Sequence, residues 1–215
     1  MPGSIPEVVL TRGVTGLMVI DMQYLDAHRN GEFGRRAKQQ GIEDQVEWFF
    51  SRLETTTIPS IQELIAASRS VDVPVIYTRI ASMTGNGEDL GWRYRYWGMT
   101  AGVDEQDSQI LDELRPLEGD ILITKTTTSA FIGSNIDSVL RRLGVEVIVA
   151  CGVMTSGCVE STVRDAADSG YRVLVAEEGC AALSKQAHEN SLGSMDHIFA
   201  HVRPTAEILS QLNRL

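Results

Sequence analysis

Three residues able to do nucleophilic chemistry fall at equivalent places in this sequence. Asp21 closes the run GLMVID, Lys125 closes DILITK, and Cys158 follows Ser156-Gly157 in CGVMTSGCVESTVRDAADSG. If these runs are parallel strands, a carboxylate, an ammonium and a thiol meet at one sheet edge, a set that can activate a nucleophile and carry its proton. Each residue also has a plainer reading. Asp21 suits a turn or helix cap, Lys125 a solvated loop, and Cys158 a small buried hydrophobe. The surroundings of Cys158 favour chemistry. It sits at the start of a helical stripe (Val159, Val163, Ala166, Ala167), where backbone N–H groups and the helix dipole favour a thiolate. Cys151, inside an apolar run, and Cys180, after Gly179, lack that setting and read as structural thiols.

The elements that must position these groups follow from hydrophobic patterning. GLMVID (16–21), VPVIYTR (73–79), DILITK (120–125), VEVIVACG (145–152) and YRVLVAEE (171–178) are apolar on both faces, as strands buried in a parallel sheet are. Helical patterns lie between them. Thr57-Ile58-Pro59 leads into SIQELIAASRS, Ser134-Asn135 precedes IDSVLRRLG, and Gly170 closes the stripe after Cys158. KQAHENSLGSM reads as a further helix and FAHV as a short strand. This alternation predicts a doubly wound α/β fold in one domain spanning 1–215. Two inserts, 22–56 and 80–110, each follow a strand and emerge at the carboxyl edge, where ligands bind in such folds; they are expected to form lids or pocket walls.

Composition narrows the function. With 19 basic and 29 acidic side chains in 215 residues, the net charge of −10 argues against nucleic-acid binding and against a polybasic membrane patch. The N-terminal MPGSIPEVVLTRG has neither a basic start nor a long apolar run, and no stretch reaches the ~18 apolar residues of a membrane span, so a soluble, cytoplasmic protein is expected. Three cysteines are too few for a disulfide framework and fit a reducing compartment. No metal or cofactor is expected. The histidines, His28, His188, His197 and His201, show no HExxH or His-x-His spacing, and there is no CxxC. His197 and His201 are four apart, but a strand at FAHV would separate them. His188 reads as a packed helical histidine, with a Cys-His pair as the alternative. GNGEDLG lacks the setting of a nucleotide loop.

VIDMQ, ITKTTTSAFIGSNID and VACGVMTSGCVESTVRDAADSGYRVLVAEEGCAA, in this order, resemble the isochorismatase-like cysteine hydrolases over nearly the whole chain. The resemblance implies a six-stranded parallel sheet flanked by helices, assembly into a homodimer or homotetramer, and an Asp-Lys-Cys triad falling on Asp21, Lys125 and Cys158. It also implies a cis peptide at Val153-Met154, with the N–H groups of Met154 and Cys158 as the oxyanion hole. Nicotinamidases of the family carry metal-binding histidines after the second strand, where this chain reads YTRIASMTGNGEDLG. True isochorismatases lack the cysteine. What remains is a metal-independent amidohydrolase of small linear amides or ureido compounds working through a thioester on Cys158. A non-hydrolytic binding or oligomeric relative is the alternative.

For the substrate pocket, placement after catalytic-edge strands nominates Tyr24, Arg79, Trp97 and Phe131, and Thr155 in the oxyanion loop, which equally suits a helix cap. Arg79 could clamp a substrate carboxylate. Arg93 and Arg95 in GWRYRYWG read more readily as a lid or subunit contact, and Trp48, Phe49 and Phe50 as core or subunit contact.

Overall fold

Six strands form one sheet in the computed structural model, which describes residues 4–215. They are β1 (Thr15–Ile20), β2 (Val75–Ile80), β3 (Ile121–Lys125), β4 (Val147–Val153), β5 (Arg172–Ala181) and β6 (His201–Arg203). All five ladders are parallel, in the order β3-β2-β1-β4-β5-β6. The five long apolar runs appear where patterning puts them, whereas of FAHV only His201 and Val202 lie in β6, Phe199 belonging to the preceding turn and Ala200 to an isolated bridge with Asp196. The chain builds outward from β1 to β3, then returns to add β4 on the other side of β1. Strand order therefore reverses between β1 and β4, and the crevice that opens there is the place where α/β sheets bind ligands.

Helices cover both faces. α1 (Tyr24–Ala27), α2 (Glu32–Gln40), α3 (Glu43–Arg52) and α4 (Ile58–Ser70) connect β1 to β2, and α5 (Trp92–Trp97) lies between β2 and β3. α6 (Ile136–Arg142), α7 (Glu160–Asp168), α8 (Lys185–Met195) and α9 (Thr205–Leu212) complete the chain. Strand alternation sorts the core into two layers. Leu17, Val19, Tyr77, Val149 and Cys151 pack with Phe49, Ile61, Leu64 and Ile208; Met18, Ile20, Ile76, Ile80 and Ala150 pack with Ile136, Val163, Leu192 and Met195. Among the described residues no helix is long and apolar enough to cross a membrane.

Local sequence explains the joints that matter for the site. α3 continues into α4 through a π-helical turn, Leu53–Thr57, in which Ile58 N–H reaches back five residues to the Leu53 carbonyl, and Pro59, which has no N–H to give, follows directly after this widened turn. Gly152 at the end of β4 has φ +124°, and a Cβ there would lie 2.0 Å from the Ile20 carbonyl oxygen. Only glycine lets β4 approach β1 so closely at the crevice.

Candidate active site

Asp21, Lys125 and Cys158 converge at this crevice. Asp21 sits directly after β1 in the left-handed region (φ 52°), which aspartate tolerates better than most residues, and this turns its side chain back under the sheet edge. Thr78 donates to its Oδ1 at 2.7 Å, and its Oδ2 lies 2.7 Å from Lys125 Nζ. Both side chains of that ion pair are fully buried. Lys125 Nζ also donates to the carbonyls of Thr127 (2.8 Å) and Thr128 (2.9 Å) and to Cys158 Sγ (3.5 Å). Four acceptors thus surround an ammonium with three protons, and the contact to Asp21 Oδ2 is the shortest of them. Cys158 lies in an irregular turn, Thr155–Val159, that follows the cis Val153-Met154 peptide and kinks at Ser156 and Gly157 before α7 begins.

The electrostatics correct one expectation. Helix placement and a neighbouring lysine suggest a thiolate, yet burial is the largest influence on Cys158 and pushes the thiol well above its ordinary value. The Lys125 cation works against that shift, and the Asp21 carboxylate adds to it. Burial acts to lower Lys125, but Asp21 and the Cys158 sulfur outweigh it, so the amine is held above its usual value and stays an ammonium. Burial thus favours the protonated thiol at Cys158, next to the buried Asp21–Lys125 ion pair. A second partner reaches the sulfur from the wall: Tyr94 Oη is 3.6 Å from Sγ, and burial raises its own pKa, keeping the phenol protonated.

A cavity of about 600 Å³ opens above Cys158. Both inserts build it, α1 and α2 supplying Asp26, Phe33, Arg36 and Gln40, and α5 supplying Arg93, Tyr94 and Trp97; Met154, Ser156 and Gly157 form the floor. Of the residues nominated for substrate contact, Trp97 lines this cavity and four lie elsewhere. Arg79 is turned away by strand parity. Its neighbour Ile80 pairs with Lys125, so Arg79, in register with Thr124, faces the opposite side of the sheet and bonds Thr124 Oγ1 (3.2 Å) and Gln109 Oε1 (3.3 Å). Tyr24 packs on His28 (4.9 Å between rings) beside a separate surface cleft, and Phe131 packs on Tyr171 (5.6 Å). Thr155 is fully buried beneath the Cys158 turn, its Oγ1 2.8 Å from His188 Nδ1. Of the two lid arginines, Arg93 lines the cavity and Arg95 is exposed. Phe49 and Phe50 are core, and Trp48 is half-buried against His188.

His188 serves the turn rather than the sulfur. Arg52 can only donate, so His188 Nε2, 3.1 Å from Arg52 Nη2, must accept, which leaves Nδ1–H to donate to Thr155. Burial, with Arg52 adding to it, lowers His188 to about 4 and keeps it neutral. Reading the sequence missed Asp26, Tyr94, Thr78 and Gln23. Gln23 is fully buried, accepts from Ile80 N (2.6 Å) and donates to Ile80 O (2.9 Å), fixing the end of β2 beside Asp21. Tyr94 is the buried residue of WRYRYW, and nothing in that alternation of aromatic residues and arginines marks it in the sequence. For Asp26 there is no signal beyond its nearness to Asp21.

The spacing of His197 and His201 also proves no barrier. Asp196 is followed by a left-handed His197 (φ 62°) in a tight turn before β6, and one ligating atom each of Asp196, His197 and His201 lies within 4.8 Å of the others. His201 Nε2 is 3.0 Å from the Pro6 carbonyl. This group lies apart from the residues lining the Cys158 cavity.

The parallel sheet β3-β2-β1-β4-β5-β6, with an acid, a lysine and a cysteine meeting at its switch point, is a doubly wound α/β architecture. The solved structure of a cysteine hydrolase from Pseudomonas syringae pv. phaseolicola 1448A superposes with a TM-score of 0.84, covering 100% of this chain and 99% of that one at 23% identity. The Isochorismatase domain family matches residues 15–207, and the chain belongs to that family. Among its relatives, ureidoacrylate amidohydrolase RutB of Rhizobium rhizogenes is 33% identical over 194 residues, covering 83% of this chain and 74% of the relative. N-carbamoylsarcosine amidase of Arthrobacter sp is 29% identical over 165 residues, covering 74% of this chain; the match spans only 62% of that amidase.

Proposed function

We propose that the protein is a metal-independent amidohydrolase that cleaves a C–N bond of a small linear amide or ureido compound through a covalent intermediate on Cys158. The observation that carries the reading is the fully buried Asp21–Lys125 pair in contact with Cys158 at the floor of a cavity. Relatives acting on carbamoylsarcosine and ureidoacrylate support the substrate class.

The chemistry follows from a resting thiol. As Sγ attacks the carbonyl carbon, its proton passes to Asp21, and the new negative charge moves onto the carbonyl oxygen. The N–H groups of Met154 and Cys158 receive that oxyanion; such a donor contributes on the order of 3 kcal/mol. Lys125 keeps one positive charge beside the migrating proton, so the site carries no net excess negative charge at any step. Asp21 then protonates the nitrogen, the C–N bond breaks, and ammonia or an amine leaves with the thioester on Cys158. Water attacks the thioester, gives its proton to Asp21, and that proton returns to Sγ as the acid is released. Exposed Trp92 and Tyr96 on α5 suit burial in a homodimer or homotetramer.

Ammonia release is the test, screened across ureido acids, biuret, maleamate and nicotinamide. We expect release from a ureido compound that survives chelator and falls about a millionfold in Cys158→Ala, the scale seen when a nucleophile is removed. Full activity in that variant would refute the reading.

A further inference from the structure

The cavity wall holds a carboxyl that the reaction above does not use. Asp26 is 6% exposed, lines the cavity with Cys158, and its Oδ1 is sealed from solvent with no hydrogen-bond partner. Among the described residues no arginine, lysine or histidine forms an ion pair with it. Buried carboxyls in folded proteins are otherwise satisfied, so a bare one at the edge of a cavity is poised for a ligand's donor. Its position is specific. It stands on α1, five residues after Asp21, and shares the cavity lining with Cys158.

A ureido group is planar and carries N–H on both flanks of its C=O. With the oxygen on the backbone N–H groups and the departing nitrogen at Asp21, the other flank needs an acceptor. An amide has carbon on that flank and needs none. We propose that Asp26 is the specificity-determining residue that accepts this second N–H and so selects ureido compounds over amides; the assignment rests on the amidohydrolase reading above. Burial, reinforced by Asp21, raises Asp26 to about 8, and its oxygen accepts an N–H whether or not the carboxyl is protonated. Arg36 and Arg93, on the same cavity, suit an anionic tail on the substrate.

The test is a matched pair, 3-ureidopropionate and glutaramate, which differ only by NH against CH2 beside the carbonyl. Binding is measured calorimetrically on the Cys158→Ala protein, so no turnover is needed. We expect the ureido acid to bind at least about tenfold tighter, the scale of one satisfied hydrogen bond in a desolvated site. Asp26→Leu, of similar size without an acceptor, brings the two within about twofold, and Asp26→Asn, which keeps an acceptor, preserves most of the preference. Asp26→Ala repeats the test should leucine disturb the fold. No preference in the parent protein, or a preference that survives Asp26→Leu and Asp26→Ala, overturns the assignment. Cys158-independent ammonia release, with an Asp26-dependent preference intact, would instead sink the covalent Cys158 mechanism proposed above and leave the role of Asp26 standing.

Discussion

The floor and the wall of the cavity are built on different physical terms. The floor comes from strand ends at the switch point, and its charges are answered from within the protein: Asp21 by Thr78 and Lys125, Lys125 by two carbonyls and a sulfur. The wall comes from inserts, and its polar groups are only partly answered. Asp26 is bare, while Arg36 is tied to Glu32 (2.5 Å) and Arg93 to Thr128. A floor satisfied internally is rigid and already arranged for charge migration, whereas a wall with open valences takes its remaining partners from a ligand. Reaction type resides in the first and substrate choice in the second.

The sharpest way to break this contrast is to unbalance the floor. Lys125→Met leaves Asp21 charged and unpaired in the interior, so kcat/KM should fall by about a thousandfold or more and stability by about 3–5 kcal/mol. Asp21→Asn added to that variant should restore much of the stability in denaturant melts while activity stays lost. Recovery of neither would show that the pair is not the unit described here.

Thiol reactivity separates the two regions by pH. Because burial pushes the Cys158 thiol up, iodoacetamide labelling of the free protein should keep rising from pH 7 through 9.5, more than about tenfold in all, with no plateau near neutrality. A plateau below pH 8 would mean that Lys125 wins over burial and that the resting nucleophile is a thiolate.

The wall makes an opposite prediction about stability. Burial pushes Asp26 up from the ordinary 3.8 to about 8 in the folded state, so between these values the unfolded chain has released a proton that the native state retains. That difference costs stability progressively as pH rises from about 4 to 8 and in full above 8. Asp26→Asn removes the cost. Thermal melts should show no gain near pH 4 and a gain on the order of 3 kcal/mol, several degrees in Tm, at pH 8. A loss of stability at all pH values would mark Asp26 as a structural residue of the wall. The smallest effect expected is at Arg79: Arg79→Ala should move KM by less than about twofold, since a side chain facing the other side of the sheet meets no substrate. A tenfold rise would return it to the site.

The same contrast explains what was legible in the sequence. Asp21, Lys125 and Cys158 each follow an apolar run, and parallel pairing alone brings such positions to one edge. Arg79 shows where that logic fails, because being at the right edge does not fix the face; only the register of β2 on β3 does. The two inserts were legible as cavity walls, but which of their side chains turn inward was not. Tyr94 and Asp26 enter the cavity through the packing of two short helices, WRYRYW and YLDA, each too short for a periodic signal to separate its inner and outer faces. Tyr24 and Phe131, aromatic and well placed along the chain, pack on His28 and Tyr171 instead. Helix placement, which favours a thiolate, is visible in sequence, whereas the depth of burial that pushes the Cys158 thiol up is not.

The central claim is that Cys158 carries the substrate's acyl or carbamoyl group during turnover. Acid-quenching the enzyme within the first turnovers on its best ureido substrate, followed by intact-protein and peptide mass spectrometry, tests this directly. The account predicts one added group, equal to the substrate less its departing amine, on the peptide containing Cys158 and absent in Cys158→Ala. Ammonia release that continues in Cys158→Ala, or an adduct found on Cys151 or Cys180 in place of Cys158, would contradict it.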